Sequence, residues 1–311
     1  MSTVMKSDAV PEATHIAWVR TYKELRTQFD PEFGVLSFLM NPSPRPCFTP
    51  SLLRDIERFQ ETVRSAVQRE LNGTDEPSVK YLVLGSAVPG VFNLGGDLDF
   101  FVRTIRARDR ATLTQYAHLS IKVLYDNLRN LSLPITTIAL LEGTTLGAGF
   151  EAALSCDLII ADKNVEIGFP EVVFNMFPGM GAYSFLARRI SPVMVERMIM
   201  SGRMYSAAEL YEMGVIDILA DGRSAQEELQ HFLRKADKTR ITRNALLRMR
   251  ERIHPITYEE LLDIANLWVE SALSLPDKDL RMMERLVRAQ NRRTPSDGGD
   301  EPGNSIQRSI R

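Results

Sequence analysis

The chain has 311 residues, 44% of them hydrophobic and 25% charged, the mix of a soluble globular protein with a sizeable core. Its 38 Lys plus Arg against 40 Asp plus Glu give a net charge of −2, which argues against a nucleic-acid partner. The two distant cysteines, Cys47 and Cys156, exclude a disulfide framework or a CxxC zinc site, and no apolar run is long enough for a membrane span, so a cytoplasmic protein is expected.

Residues 1–14 lack the basic start and apolar stretch of a secretory signal and are expected to be a mobile N-terminus. An α/β core is expected over residues 15–220. Its predicted strands are Phe33–Met40, Tyr81–Ser86, Ile135–Leu141 and Asp157–Ala161. Thr49 is a good N-cap and Pro50 suits a first helical position, with Leu52, Ile56, Phe59, Val63 and Val67 following at helical spacing. A helix is therefore predicted from Pro50 to Leu71. A second, Arg108–Leu131, carries Leu113, Ala117, Ile121 and Leu124 on one face. Strands separated by helical crossovers imply largely parallel pairing. Residues 221–290 change character to successive helices (Ser224–Lys235, Ile241–Arg252, Thr257–Leu273 and Asp277–Gln290), a helical region of the same domain. The polar, Gly/Pro/Ser-containing residues 291–311 are expected to be a disordered tail.

Most catalytic signatures are absent. The histidines His15, His118, His231 and His254 form no HExxH, and GxSxG, GxxxxGK[ST] and a strand-to-helix GxGxxG are all missing. No metal and no cofactor are expected. Two glycine-rich joints remain: VPGVFNLGGDL (Val88–Leu98) and EGTTLGAGFEAALSCD (Glu142–Asp157), each directly after a predicted strand. Such joints are often tight βα turns, and they can also offer backbone N–H groups to one oxygen. Glu151 and Glu171 lie in the apolar contexts FEAAL and GFPEVVF, where a carboxylate is costly to bury unless paired or functional. Each could be a structural anchor. As a pair they could divide acid and base roles.

The segments GVFNLGGDLDFF, TTLGAGFEAALSCDLIIAD and IGFPEVVFNMFPGMGAYSFLARRI resemble signatures of the crotonase (enoyl-CoA hydratase/isomerase) superfamily. NLGGDL, GFEAALSC, FPGMGAYSF, IANLWVESAL and LVRAQNRR are particularly similar to its diffusible signal factor synthases, which make cis-2-enoic fatty acids for quorum sensing. The likeness runs from about Phe33 to Arg293. It implies an α/β spiral of ββα units with a helical C-terminal region, assembled as a trimer or a dimer of trimers. It places the two oxyanion-hole N–H groups at Leu94 and Ala148 and the two catalytic carboxylates at Glu151 and Glu171. Gly95, Gly147, Gly149, Phe150, Phe169 and Met176 would touch substrate, as would Trp268, which matches a pocket-region tryptophan of the subgroup. Val91, Phe92, Val172, Phe174 and Phe177 are further apolar candidates for the acyl-chain pocket.

The implied activity is a lyase that dehydrates a 3-hydroxyacyl thioester of acyl carrier protein, or of coenzyme A, to the cis-2-enoyl form. A thioesterase step then frees the acid. The rivals are an enoyl-CoA hydratase or isomerase of fatty acid metabolism and a non-catalytic partner of a sensor kinase. A receiver domain of such a kinase is a further expected partner. Met194–Met204 (MVERMIMSGRM) shows apolar side chains on more than one helical face and is the expected subunit contact. Arg234, Lys235, Lys238, Arg240, Arg243, Arg248, Arg250 and Arg252 crowd a stretch whose only acids are Asp237 and Glu251. That basic island reads either as a solvated helix face or as a dock for the acidic carrier.

Overall fold

The computed structural model describes residues 21–73 and 76–291. The expected mobile N-terminus (1–14) and nearly all of the expected disordered tail (291–311) therefore lie outside the described residues. The first helix, α1 (Pro50–Leu71), forms as its caps dictate, with the Thr49 hydroxyl accepting the Leu52 N–H at 2.9 Å. Its predicted apolar face, Leu52, Ile56, Phe59, Val63 and Val67, is buried.

A six-stranded sheet runs in the order β1 (Leu25–Asp30), β2 (Val35–Met40), β3 (Tyr81–Ser86), β5 (Thr136–Leu141), β7 (Leu158–Asp162) and β10 (Ile218–Ala220). Only β1 pairs antiparallel, and the other strands are parallel. Parallel strands covered on both faces read as continuous apolar runs, which is why YLVLGS and TTIALL were legible. Tyr81, Val83, Ile138 and Leu140 face α8 (Ala225–Ala236) with its Leu229, Phe232 and Leu233. Leu82, Leu84, Ala139 and Leu141 point the other way, into the main core with α1. β1 was not expected: in LRTQFD only Leu25 is buried, so no alternating pattern marks it.

A second sheet of short strands was also unpredicted. It holds β4 (Val91–Asn93), β6 (Thr144–Leu146), β8 (Glu166–Gly168) and β9 (Met204–Ser206). Three-residue strands are too short to show a period. Strands β3–β4, β5–β6 and β7–β8 each step from the large sheet to the small one before a helical turn, and this is the spiral of ββα units. The helix expected at Arg108–Leu131 forms as one element from Arg110 to Leu128, and a helix that was not expected precedes it. Asp97 caps α2 (Leu98–Arg106) and Asp109 caps α3 (Arg110–Leu128), with Arg108 left-handed between them at φ 52°.

The C-terminal half continues through α4 (Ala148–Leu154), α5 (Ala182–Leu186), α6 (Pro192–Ser201) and α7 (Ala207–Glu212). Beyond α8 come α9 (Arg240–Ile253), α10 (Tyr258–Leu273) and α11 (Asp277–Asn291). His118 of α3 meets Asn266 of α10 at 2.8 Å, and Arg106 of α2 pairs with Glu284 of α11 at 2.7 Å. These helices thus close over α2 and α3. Among the described residues no helix is long and apolar enough to cross a membrane.

Candidate active site

The two glycine joints follow the C-terminal ends of β3 and β5, and the fold presses them together. A Cβ on Gly95 (φ +93°) would stand 3.1 Å from the Leu146 carbonyl oxygen and 3.5 Å from the Ala148 nitrogen. A Cβ on Gly149 would meet the Asn93 carbonyl oxygen at 2.7 Å. One on Gly147 (φ +49°) would overlap Glu171 Oε1 at 2.2 Å. These three glycines were expected to touch substrate. What they do here is let backbone reach backbone, and let Glu171 lie over the second joint.

Leu94 does not supply the expected oxyanion donor. Its N–H donates to the Pro46 carbonyl at 2.7 Å, a partner from a loop the sequence gave no reason to place there. The Gly95 N–H is also taken, by Asn93 Oδ1 at 2.8 Å. The next residue, Gly96, has an N–H that takes part in none of the hydrogen bonds securing this turn. Ala148 opens α4, where first-turn N–H groups have no intrahelical acceptor, and its N–H is likewise uncommitted. The candidate pair of donors is therefore Gly96 and Ala148.

Two carboxyls sit beside them. Glu151, one turn into α4, is 1% exposed, and its Oε1 accepts from the Met180 N–H at 2.7 Å and the Ala182 N–H at 3.0 Å. Burial pushes this carboxyl up to about 7, while the two N–H donors pull it the other way. Glu171 begins a single 3-10 turn (Glu171–Phe174), and its Oε2 is out of solvent without a hydrogen-bond partner. Burial, then the neighbouring Glu151 charge, pushes it up to about 8. The donors favour the anion at Glu151, so the pair's resting proton belongs on Glu171.

These shifts carry a sign for stability. Folded carboxyls at about 7 and 8 hold protons that an unfolded carboxyl, near 4.5, has already lost. Stability is then greatest below that unfolded value and falls as pH rises through the window to about 8. Asp157, raised by burial to about 6 beneath the opposite end of the sheet, adds to the same slope. Melting temperature is expected to fall between pH 5 and 8.5, with a shallower slope in Glu171→Gln. Parallel slopes for the two proteins would contradict the raised value at Glu171.

The aromatic candidates divide by exposure. Phe150 and Phe169 stack at 4.9 Å between ring centroids and are 0% and 1% exposed, so they are core behind α4. Phe92, Phe174 and Met176 are buried too, whereas Val91, Leu94, Val172 and Phe177 keep part of their surface open. Trp268 is a buried strut. Its ring lies 5.0 Å from that of Phe101, and a Cβ on Gly179 would overlap it at 2.4 Å. Phe101 in turn fills the space where a Gly96 Cβ would be, at 2.5 Å.

The basic island lies at the opposite end of the large sheet from the glycine joints. Arg240 pairs with Glu76 at 2.7 Å, and Asn244 of α9 shares a dent with Tyr81 and Thr136, the first residues of β3 and β5. At about 3.3 Å per residue, strand length alone puts roughly 20 Å between α9 and the glycine joints. Arg243 is also committed, with its guanidinium carbon 4.4 Å above the Phe232 ring.

Comparison with known proteins comes out consistently. Residues 60–251 match the sequence profile of the enoyl-CoA hydratase/isomerase family. The Arabidopsis thaliana protein named "Probable enoyl-CoA hydratase 2, mitochondrial" is 32% identical over 151 residues, 49% of this chain and 48% of that one. The Mus musculus "Enoyl-CoA hydratase domain-containing protein 2, mitochondrial" is 29% identical over 199 residues, 60% of this chain and 58% of its own. The chain spans less than two thirds of the length of both of these curated relatives. The crystal structure of an enoyl-CoA hydratase/isomerase from Xanthobacter autotrophicus Py2 superimposes with a TM-score of 0.69 at 19% identity, covering 88% of this chain and 96% of that one. Human mitochondrial delta3-delta2-enoyl-CoA isomerase gives 0.66 at 19%, covering 86% and 99%. At those identities the likeness is one of fold.

Proposed function

Because the chain belongs to the enoyl-CoA hydratase/isomerase family, we propose that it moves water across the C2–C3 bond of an acyl thioester, using Glu151 and Glu171. The observation that carries this is the placement of the Glu171 carboxyl over Gly147, beside the Ala148 and Gly96 N–H groups, with buried Glu151 on the adjoining helix. Dehydration needs a base for the C2 proton, an acid for the departing 3-hydroxyl and donors for the enolate oxygen. The pair starts with one proton. The charged member takes the C2 proton, the protonated member gives its own to the hydroxyl, and water leaves. The pair still holds one proton, now on the other carboxyl, and exchange with solvent resets it.

The substrate we propose is a 3-hydroxyacyl group on acyl carrier protein. It is converted to the cis-2-enoyl thioester and then hydrolysed to a free cis-2-unsaturated acid of the diffusible signal factor type. Support comes from NLGGDL, GFEAALSC and FPGMGAYSF, all of which fall in this site. The same N–H pair can hold the oxyanion formed when water attacks the thioester carbonyl. The test is mass spectrometry of products from purified protein given 3-hydroxyacyl thioesters of the carrier and of coenzyme A. Free cis-2-enoic acid from the carrier substrate is the expected result. Interconversion of 3-hydroxyacyl and trans-2-enoyl thioesters without release of acid would establish the simple hydratase instead.

A homotrimer or a dimer of trimers goes with this proposal. Helix α6 buries only Val195 and Met198, while Val193 is 59% and Met200 70% exposed. Light scattering should give a mass of three or six chains at micromolar concentration, and a monomer would contradict it.

A further inference from the structure

The Gly96 N–H belongs to a turn with little secondary structure of its own, yet it can serve as a donor only if its direction is fixed. What fixes it comes from the loop before α1, some fifty residues earlier in the chain. The Pro46 carbonyl accepts the Leu94 N–H at 2.7 Å, and the Phe48 N–H donates to the Gly95 carbonyl at 2.8 Å. The Tyr116 hydroxyl in turn donates to the Phe48 carbonyl at 2.8 Å. Beyond Gly96, Arg45 Nη2 lies 3.0 Å from Asp97 Oδ1, and Arg45 and Asp97 are 9% and 8% exposed. That same Asp97 oxygen caps α2 by accepting the Phe100 N–H at 3.3 Å. The uncommitted amide is therefore held between Gly95 on one side and an ion-paired Asp97 on the other.

A buried ion pair adds little net stability, because desolvation offsets most of the attraction, but it does hold geometry. We propose that Arg45 is a positioning residue whose ion pair with Asp97 aims the Gly96 N–H at the thioester carbonyl oxygen. This rests on the oxyanion reading given under Proposed function. Arg45 is not placed on a reacting atom and acts through Asp97. Losing an oxyanion donor outright costs about 10²–10³ in kcat, and misdirecting one should cost part of that. Because the oxyanion forms in the transition state, the loss should fall on kcat and leave KM nearly alone.

The test uses Arg45→Gln and Arg45→Lys, with Asp97→Asn as a second route, since Asn keeps the capping oxygen and removes the charge. kcat is expected to fall about tenfold to a hundredfold in Arg45→Gln and Asp97→Asn, with KM within about threefold, and Arg45→Lys should recover part of the loss. The readout that a merely structural role would not move is absorption of a bound, conjugated enoyl thioester, which shifts to the red when its carbonyl is polarised. Wild-type protein and Glu171→Gln should both show the shift, and Arg45→Gln and Asp97→Asn should show less of it per folded molecule. A full red shift in both of those variants, or a kcat loss matching only their unfolded fraction, overturns the positioning role. Absence of the shift in wild-type protein overturns the oxyanion reading itself.

Discussion

Glu171→Gln is expected to lower turnover by at least about a hundredfold, the scale of a lost acid–base group, while leaving the fold in place. Its Oε2 makes no hydrogen bond, so an amide at that position breaks nothing that the carboxyl was holding. Glu151→Gln should lose activity to a similar degree. A glutamine oxygen can still accept from Met180 and Ala182, so the α5 approach remains anchored. Steady-state kinetics with circular dichroism checks both variants. Near-normal turnover in either would remove the carboxyl pair from the mechanism.

Gly147→Ala should be about as damaging by a different route. A methyl at this position would sit 2.2 Å from Glu171 Oε1, inside contact distance, so the carboxyl must move off the joint. The backbone at φ 49°, ψ −121° is in a region that alanine avoids, at a cost of about 1–3 kcal/mol. Turnover is expected to drop by about two orders of magnitude, as for an acid–base group removed outright, along with a lower melting temperature. Gly90→Ala is a useful contrast: φ is +70° there but nothing lies within 4 Å. That variant should lose stability and keep its kinetics. If the two variants behaved alike, backbone strain rather than the Glu171 carboxyl would explain the effect.

Much of this site was legible in the sequence, and the remainder was hidden for identifiable reasons. Glu151 stood out because FEAAL surrounds a carboxyl with apolar residues, and it is indeed buried with two backbone donors. α1 was legible from Thr49 and Pro50, since capping is a local matter. The oxyanion turn was not. Nothing in NLGGDL says which of its N–H groups is free, because that is decided by Pro46 and Phe48 across the fold. Arg45 and Asp97 lie 52 positions apart, and no periodicity links them. One local signal was available: Asp97 ahead of the apolar run Leu98–Val102 is an N-cap pattern and would have revealed α2. The basic island left two readings open because a charge run records composition and not which end of the sheet carries it.

The central claim is that Glu151 and Glu171 share one working proton at this site, and the pH profile of kcat/KM tests it most directly. With the carboxyls at about 7 and 8, the singly protonated pair dominates in a narrow range around neutral to mildly alkaline pH. The predicted profile is bell-shaped, with both limbs between pH 6 and 9 and the apparent values belonging to the pair. A rate that is level across that range, with its only inflection near the ordinary glutamate value of 4.5, would contradict the account.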